Sequence, residues 1–195
     1  MIKPFEFYFD FSSPYTFLAH KGIKKIENEN SIKVKYMPIL LGALLSSVGI
    51  KANVDIPIKA KYMIKDCKLC AEKNRIIFKF NNYFPIITLN LMRCVLVAEK
   101  KDFAQNFIDK VFDAIWRDGL NLNDNAIVEK LLKNLDINPR TFLLEAKDQK
   151  IKEDLKKKTE EASQKGIFGL PSFIVNNKIF WGQDRLEFVL NEAKK

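Results

Sequence analysis

The chain has 195 residues, is 47% apolar and carries 16 Phe, 5 Tyr and 2 Trp, enough to bury a full core and to exclude intrinsic disorder. Its net charge of +9 raises nucleic acid as a partner, but the lysines are dispersed, and the densest stretch, residues 147–165, interleaves Glu153, Asp154, Glu160 and Glu161 as a solvated helix does, so no nucleic acid is expected. A single His and 3 Cys exclude His-rich metal sites and a dense disulfide framework, and leave any serine–histidine triad dependent on His20.

Residues 5–11 read FEFYFDF, an aromatic run with high strand propensity and too short to favour a helix. Residues 12–30 follow with a helical pattern, Ser13 as N-cap, Pro14 in the first helical position and Phe17, Leu18, Gly22 and Ile23 on an inner face. Residues 31–37 alternate, with Ile32, Val34 and Tyr36 on one side and Lys33 and Lys35 on the other, as a half-buried strand does. The chain therefore opens as one strand–helix–strand unit with a right-handed crossover.

From residue 40 to about residue 166 the pattern is mostly helical. Helices are predicted over 57–74, 88–99, 103–117, 124–134 and 139–164, the last with a break near Ala146, and Asn123 or Asp124 caps the fourth. The end reverts to strands at 173–175 and 178–181 around Asn176-Asn177, a tight hairpin signal because Asn tolerates positive φ. Asp184 is then expected to cap a last helix reaching Ala193. The order βαβ, helices, ββα divides the chain into an α/β scaffold, residues 1–39 and 167–195, and an all-helical insertion, residues 40–166.

No basic-then-apolar leader precedes the first strand, and no run of about 20 apolar residues occurs, so a cytoplasmic protein without a membrane segment is expected.

Two motifs stand out. Ser12-Ser13-Pro14-Tyr15-Thr16 follows a strand and opens a helix, where free N–H groups and the helix dipole favour a negative charge. Ser13 there either caps the helix and nothing more, or also donates a hydrogen bond to a bound thiolate or oxyanion. The second motif, Gly166 to Phe173, places Pro171 just before a strand, either as an ordinary loop proline or as a cis-proline.

With SPYT in the slot of a C-x-x-C and GLPSF before the hairpin, the chain resembles the DsbA-like thioredoxin fold. Within it, FYFDFSSPYTFLA and GIFGLPSFIVNNKIFWGQDRL, together with NVDIPIKAKYMIKD and FDAIWRDG, look like the 2-hydroxychromene-2-carboxylate isomerase and kappa-class glutathione transferase branch. The resemblance implies a glutathione-dependent isomerase, or a kappa-like transferase, in which Ser13 contacts the sulfur of reduced glutathione, with Pro14 and Tyr15 beside it. Leu170 would pair with the cysteinyl backbone next to cis-Pro171. Gln183 and Asp184 would hold the γ-glutamyl end, with Arg185 adjacent. Asn53 and Lys59 would reach from the insertion toward glutathione or substrate. An acidic or aromatic-derived small molecule is the implied substrate, and a homodimer the implied assembly.

Residue 12 is Ser where the isomerases carry a larger apolar residue, which leaves two candidate hydroxyls; Ser13 is favoured because it directly precedes Pro14. Trp181 either walls the pocket or is a core aromatic. Cys67 and Cys70 form a C-x-x-C inside a predicted helix, not at the strand–helix junction, which favours two unconnected thiols over a redox pair. The alternative functions are a disulfide oxidoreductase using those two thiols and a thioredoxin-fold binding protein without glutathione chemistry. No metal ligand set is expected, and His20 reads as surface or packing.

Overall fold

The computed structural model describes residues 2–29 and 32–195. Asn30 and Ser31, assigned above to the end of the first helix and the start of the second strand, lie outside the described residues.

Among the described residues the strands are β1 (Phe5–Phe9), β2 (Val34–Pro38), β3 (Ser172–Val175) and β4 (Lys178–Trp181), forming one sheet in the order β2-β1-β3-β4. β1 runs parallel to β2, with Phe7 opposite Tyr36, and antiparallel to β3, with Phe7 opposite Phe173. β3 and β4 form the hairpin, and its two turn residues, Asn176 and Asn177, have φ of 47° and 60°, as the sequence predicts. Helix α1 (Pro14–Glu29) connects the parallel pair, and α9 (Leu186–Ala193) closes the chain. Between β2 and β3 lie α2 (Leu41–Ser47), α3 (Pro57–Lys73), α4 (Leu89–Lys100), α5 (Ala104–Trp116), α6 (Asn125–Lys133), α7 (Pro139–Glu145) and α8 (Gln149–Gln164). This is the mixed sheet with a helical insertion that the resemblance implies.

Side chains alternate across β1 and divide the core. Phe5, Phe7 and Phe9 are fully buried on one face, with Phe7 against Phe173 and Tyr36 at 5.3 Å between ring centroids and Phe9 against Phe112 at 5.9 Å. Each such phenyl ring contributes about 2 kcal/mol by burial. Tyr8 faces the other way, into a smaller cluster with Met37, Ile39, Leu44, Ala162, Ile167 and Leu170. The α-helical elements that line the site therefore sit on a sheet packed from both sides.

Several boundaries differ from expectation. β1 stops at Phe9 because the Asp10 carboxylate turns to bind backbone N–H groups of Ser12 and Leu41; Phe11 stays buried but outside the ladder. Helix α2, too short and Gly-containing to stand out by periodicity, was not individually expected. Asp124 caps α6 through Ala126 N, while Asn123 Oδ1 accepts from Ile87 N. Asp184 does not cap α9. It lies inside a 3-10 turn, Gln183–Arg185, closed by Arg185 N donating to Gly182 O, and its carboxylate pairs with Arg185 at 3.1 Å.

Candidate active site

Ser13 is 5% exposed and stands immediately before α1. Its Oγ accepts the Thr16 N–H at 3.2 Å, and its carbonyl accepts from Thr16 N and Phe17 N. Capping occupies a lone pair of the hydroxyl and leaves its hydrogen to donate, so the two roles considered for Ser13 are compatible. Pro14 brings no N–H, and among the described residues the Tyr15 N–H has no backbone acceptor. The start of α1 thus offers a hydroxyl and an amide under the positive end of a 16-residue helix.

The Leu170–Pro171 bond is cis. The Pro171 carbonyl accepts from Gly182 N at 3.0 Å, and among the described residues no backbone hydrogen bond takes up the Leu170 N–H or C=O. Trp181 is half exposed and makes an edge-on contact with Phe168 at 5.0 Å. Its indole lies across Gly169, where a Cβ would come within 2.8 Å of Nε1. Trp181 therefore walls the site, whereas Trp116 is the core tryptophan, its Nε1 donating to Phe11 O.

These groups border two adjoining cavities. The smaller, about 300 Å³, is lined by Ser12, Ser13, Pro14 and Lys59 together with apolar Leu41, Leu45, Ile50, Val54, Met63, Phe84 and Phe168. Its charged lining residues are Lys51 and Lys59, and no carboxylate lines it. The larger, about 1160 Å³, is lined by Pro171, Gln183, Asp184 and Arg185, by Lys21, Lys25, Lys73 and Arg75, and by Asp66 and Glu187. Tyr15, Asn53, Leu170 and Trp181 border both. The structure brings all ten expected residues to this pair of cavities but separates them: Ser13, Pro14 and Lys59 face the smaller, and Pro171, Gln183, Asp184 and Arg185 the larger. Arg185 is already engaged, by Asp184 and by the Phe188 ring at 5.5 Å.

One face of α3 adds Asp66, to which sequence reading assigns no role, and Cys70, weighed there only as half of a C-x-x-C. The Tyr15 hydroxyl donates to Asp66 Oδ2 at 2.8 Å; Cys70 Sγ lies 4.0 Å from the same oxygen and accepts from Gln183 Nε2 at 3.2 Å. Burial, then the bond to Asp66, pushes the Tyr15 phenol well up, and burial followed by the Asp66 charge raises both Cys67 and Cys70. Neither thiol is activated for attack at neutral pH. The usable signal was spacing: Lys59, Asp66 and Cys70 fall seven and four residues apart, on one helix face.

All three cysteines are free, and among the described residues no cluster of His, Cys, Asp and Glu is arranged to hold a metal ion. His20 is fully buried and stacked on Phe112 at 4.9 Å, with Nδ1 3.1 Å from the Tyr36 hydroxyl and Nε2 2.9 Å from Asp109 Oδ1. It is packing and lines neither cavity. No helix among the described residues is long and apolar enough to cross a membrane.

Residues 5–194 match the DSBA-like thioredoxin domain family. A 2-hydroxychromene-2-carboxylate isomerase of Sphingobium xenophagum is 26% identical over 191 residues, spanning 97% of each chain. A glutathione S-transferase kappa 1 of Caenorhabditis elegans is 23% identical, spanning 94% of this chain and 88% of the relative. A solved 2-hydroxychromene-2-carboxylate isomerase structure superposes with a TM-score of 0.88 at 23% identity, covering 98% of this chain and 94% of the other.

Proposed function

The chain belongs to the DSBA-like thioredoxin domain family, and on that premise we propose that it is a glutathione-dependent isomerase of the 2-hydroxychromene-2-carboxylate isomerase type. The observation that carries this is Ser13, a helix-capping hydroxyl with a free hydrogen on the wall of a small, mostly apolar cavity, close in sequence to Tyr15, which borders both that cavity and the larger, tripeptide-sized one.

The residues present fit glutathione. The larger cavity has room for the tripeptide, and the unpaired N–H and C=O of Leu170 can pair with its extended backbone as an added strand. Gln183, Asp184 and Asp66 offer acceptors for an ammonium group, and Arg75, Lys73 and Arg185 supply positive charge for carboxylates. When bound, glutathione would supply a soft nucleophile that adds reversibly to a conjugated keto acid and allows rotation about the former double bond. Ser13 then donates to the sulfur, and the first turn of α1 favours its anionic form, each effect worth on the order of a kcal/mol. Ser13 needs no basic partner for this role, consistent with His20 being buried and lining neither cavity.

In the smaller cavity, Lys51 and Lys59 would draw a carboxylate, and Phe84, Phe168 and Trp181 would pack against a ring. That charge balance favours an acidic substrate, and so the isomerase over transfer to neutral electrophiles. A disulfide oxidoreductase is disfavoured because Cys67 and Cys70 lie on α3 with raised thiols. Residues 1–39 and 167–195 would act as the thioredoxin-like unit that supplies Ser13, Leu170 and Pro171, with 40–166 inserted to supply the cavity wall. Isomerisation of 2-hydroxychromene-2-carboxylate should require added glutathione; turnover at the same rate without it contradicts the proposal.

A further inference from the structure

Asp10 follows β1 directly and lies three residues before Ser13, 2% exposed. Its Oδ1 accepts from Ser12 N at 3.0 Å and from the Thr88 hydroxyl at 2.6 Å; its Oδ2 accepts from Leu41 N at 2.8 Å. Its carbonyl accepts from Ser13 N at 3.3 Å. Each partner stands at the start of a helix. Ser12 precedes the cap of α1, Leu41 opens α2, and Thr88 is the N-cap position of α4. Neither Leu40 nor Thr88 caps its own helix through a side chain; the Thr88 hydroxyl goes to Asp10 instead.

A buried carboxylate is costly unless donors surround it, and here two backbone amides and a hydroxyl do so. Burial nevertheless holds the Asp10 carboxyl above its ordinary range, the Ser12, Thr88 and Leu41 bonds offsetting only part of the effect. An apolar side chain would fill the space without that cost, so the carboxylate's use lies in what it holds.

We propose that Asp10 is a positioning residue of the site: it ties the 10–13 loop, and with it Ser13 and the first turn of α1, to the starts of α2 and α4. This rests on the glutathione reading and adds that the thiolate-stabilising geometry is set by a carboxylate touching neither thiol nor substrate. Leu41, held by Asp10 Oδ2, itself lines the smaller cavity, so one side chain fixes both the donor and a residue of the cavity wall. An amide cannot substitute. Asn has one acceptor oxygen, and in either orientation its NH2 faces the Ser12 or the Leu41 N–H.

The test compares Asp10→Asn, Thr88→Val and Thr88→Ser with wild type. The pKa of the glutathione thiol in the complex is read from its thiolate absorbance, glutathione affinity by titration calorimetry, and turnover with 2-hydroxychromene-2-carboxylate. In D10N the bound thiol pKa should rise by about one unit and kcat fall about tenfold, with the glutathione Kd, titrated below the bound thiol pKa so that the thiol form is measured, held within about threefold because the residues lining the larger cavity are unchanged. T88V, which removes one donor from the oxygen shared with Ser12, should move thiol pKa and kcat in the same direction by less, and T88S should restore both. In glutathione-free T88V the Thr16 amide, capped by Ser13, should exchange faster. If D10N does not fold, the T88V and T88S pair decides. Variants that lose thermal stability while bound thiol pKa and kcat stay at wild-type values overturn the proposal. A wild type that leaves the thiol pKa of glutathione unchanged overturns the glutathione reading, and this inference with it.

Discussion

Gln183 donates through Nε2 to the sulfur of Cys70 at 3.2 Å, joining the turn after the β3–β4 hairpin to the last turn of α3. Through it the two sides of the larger cavity are held by one short polar chain, since Cys70 in turn approaches Asp66, which accepts the Tyr15 hydroxyl.

That contact makes a thiol count informative. Cys70 lines the larger cavity, whereas Cys67 and Cys94 are fully buried. An aromatic disulfide reagent should label one thiol in the native protein and all three in denaturant. Because burial and Asp66 raise the Cys70 thiol, labelling should speed up as pH rises, and reduced glutathione should protect it. Equal labelling of Cys67 contradicts the burial described.

Trp181 and Trp116 report different places. Trp181 is 50% exposed on the wall shared by the cavities, and Trp116 is 0% exposed in the core. Glutathione should change the tryptophan fluorescence of wild type and leave that of Trp181→Phe unchanged. Gly169→Ala, whose methyl group meets the Trp181 indole, should weaken the response by displacing the ring. A full response in W181F contradicts the placement of the ligand.

Lys59 faces the carboxylate-free smaller cavity. Lys59→Ala should raise KM for an acidic substrate about three- to tenfold with kcat nearly unchanged. Because the side chain is exposed, the difference should shrink in high salt. A pure kcat effect would assign Lys59 to the chemistry instead.

His20 governs the acid side of stability near neutrality. Burial lowers its pKa below the ordinary 6.5, and Asp109 does not fully offset this. The native state therefore stays neutral where the unfolded chain already takes the proton. Stability should fall as pH drops below about 6.5, with a slope approaching 1.4 kcal/mol per pH unit. The chain has one histidine; Asp109, whose carboxyl is lowered from 3.8, acts only in stronger acid, and Asp10 and Glu99, whose carboxyls burial raises, oppose the trend as they take up protons, so the histidine variant isolates the His20 part. Urea unfolding at pH 7.5 and 5.5 measures this, and His20→Gln should flatten the dependence; an unchanged slope contradicts it.

Much of this was legible in the sequence where local chemistry is self-sufficient. Ser13-Pro14 announces a helix start because capping needs a hydroxyl there and tolerates proline next to it, and Asn176-Asn177 announces a hairpin because both accept positive φ. Less was legible where a long-range partner decides. FEFYFDF looks like one strand, yet Asp10 leaves the ladder to bind residues of α2 and α4, 31 and 78 positions away. Asp184 looks like a cap but is drawn into a 3-10 turn by Gly182, at φ 121°. Asp66 ends the stretch NVDIPIKAKYMIKD, which carries part of the resemblance, yet its role appears only when α1 brings Tyr15 to α3.

The central claim is that Ser13, at the start of α1, stabilises the thiolate of bound glutathione. Thiolate absorbance measured against pH in the presence of wild type and Ser13→Ala tests it directly. The bound thiol pKa should lie below that of free glutathione in wild type and rise by about one unit in S13A, with the melting temperature falling modestly for the lost cap, worth about 1 kcal/mol. A thiol pKa in wild type equal to that of free glutathione, or one that S13A leaves unmoved, contradicts the claim.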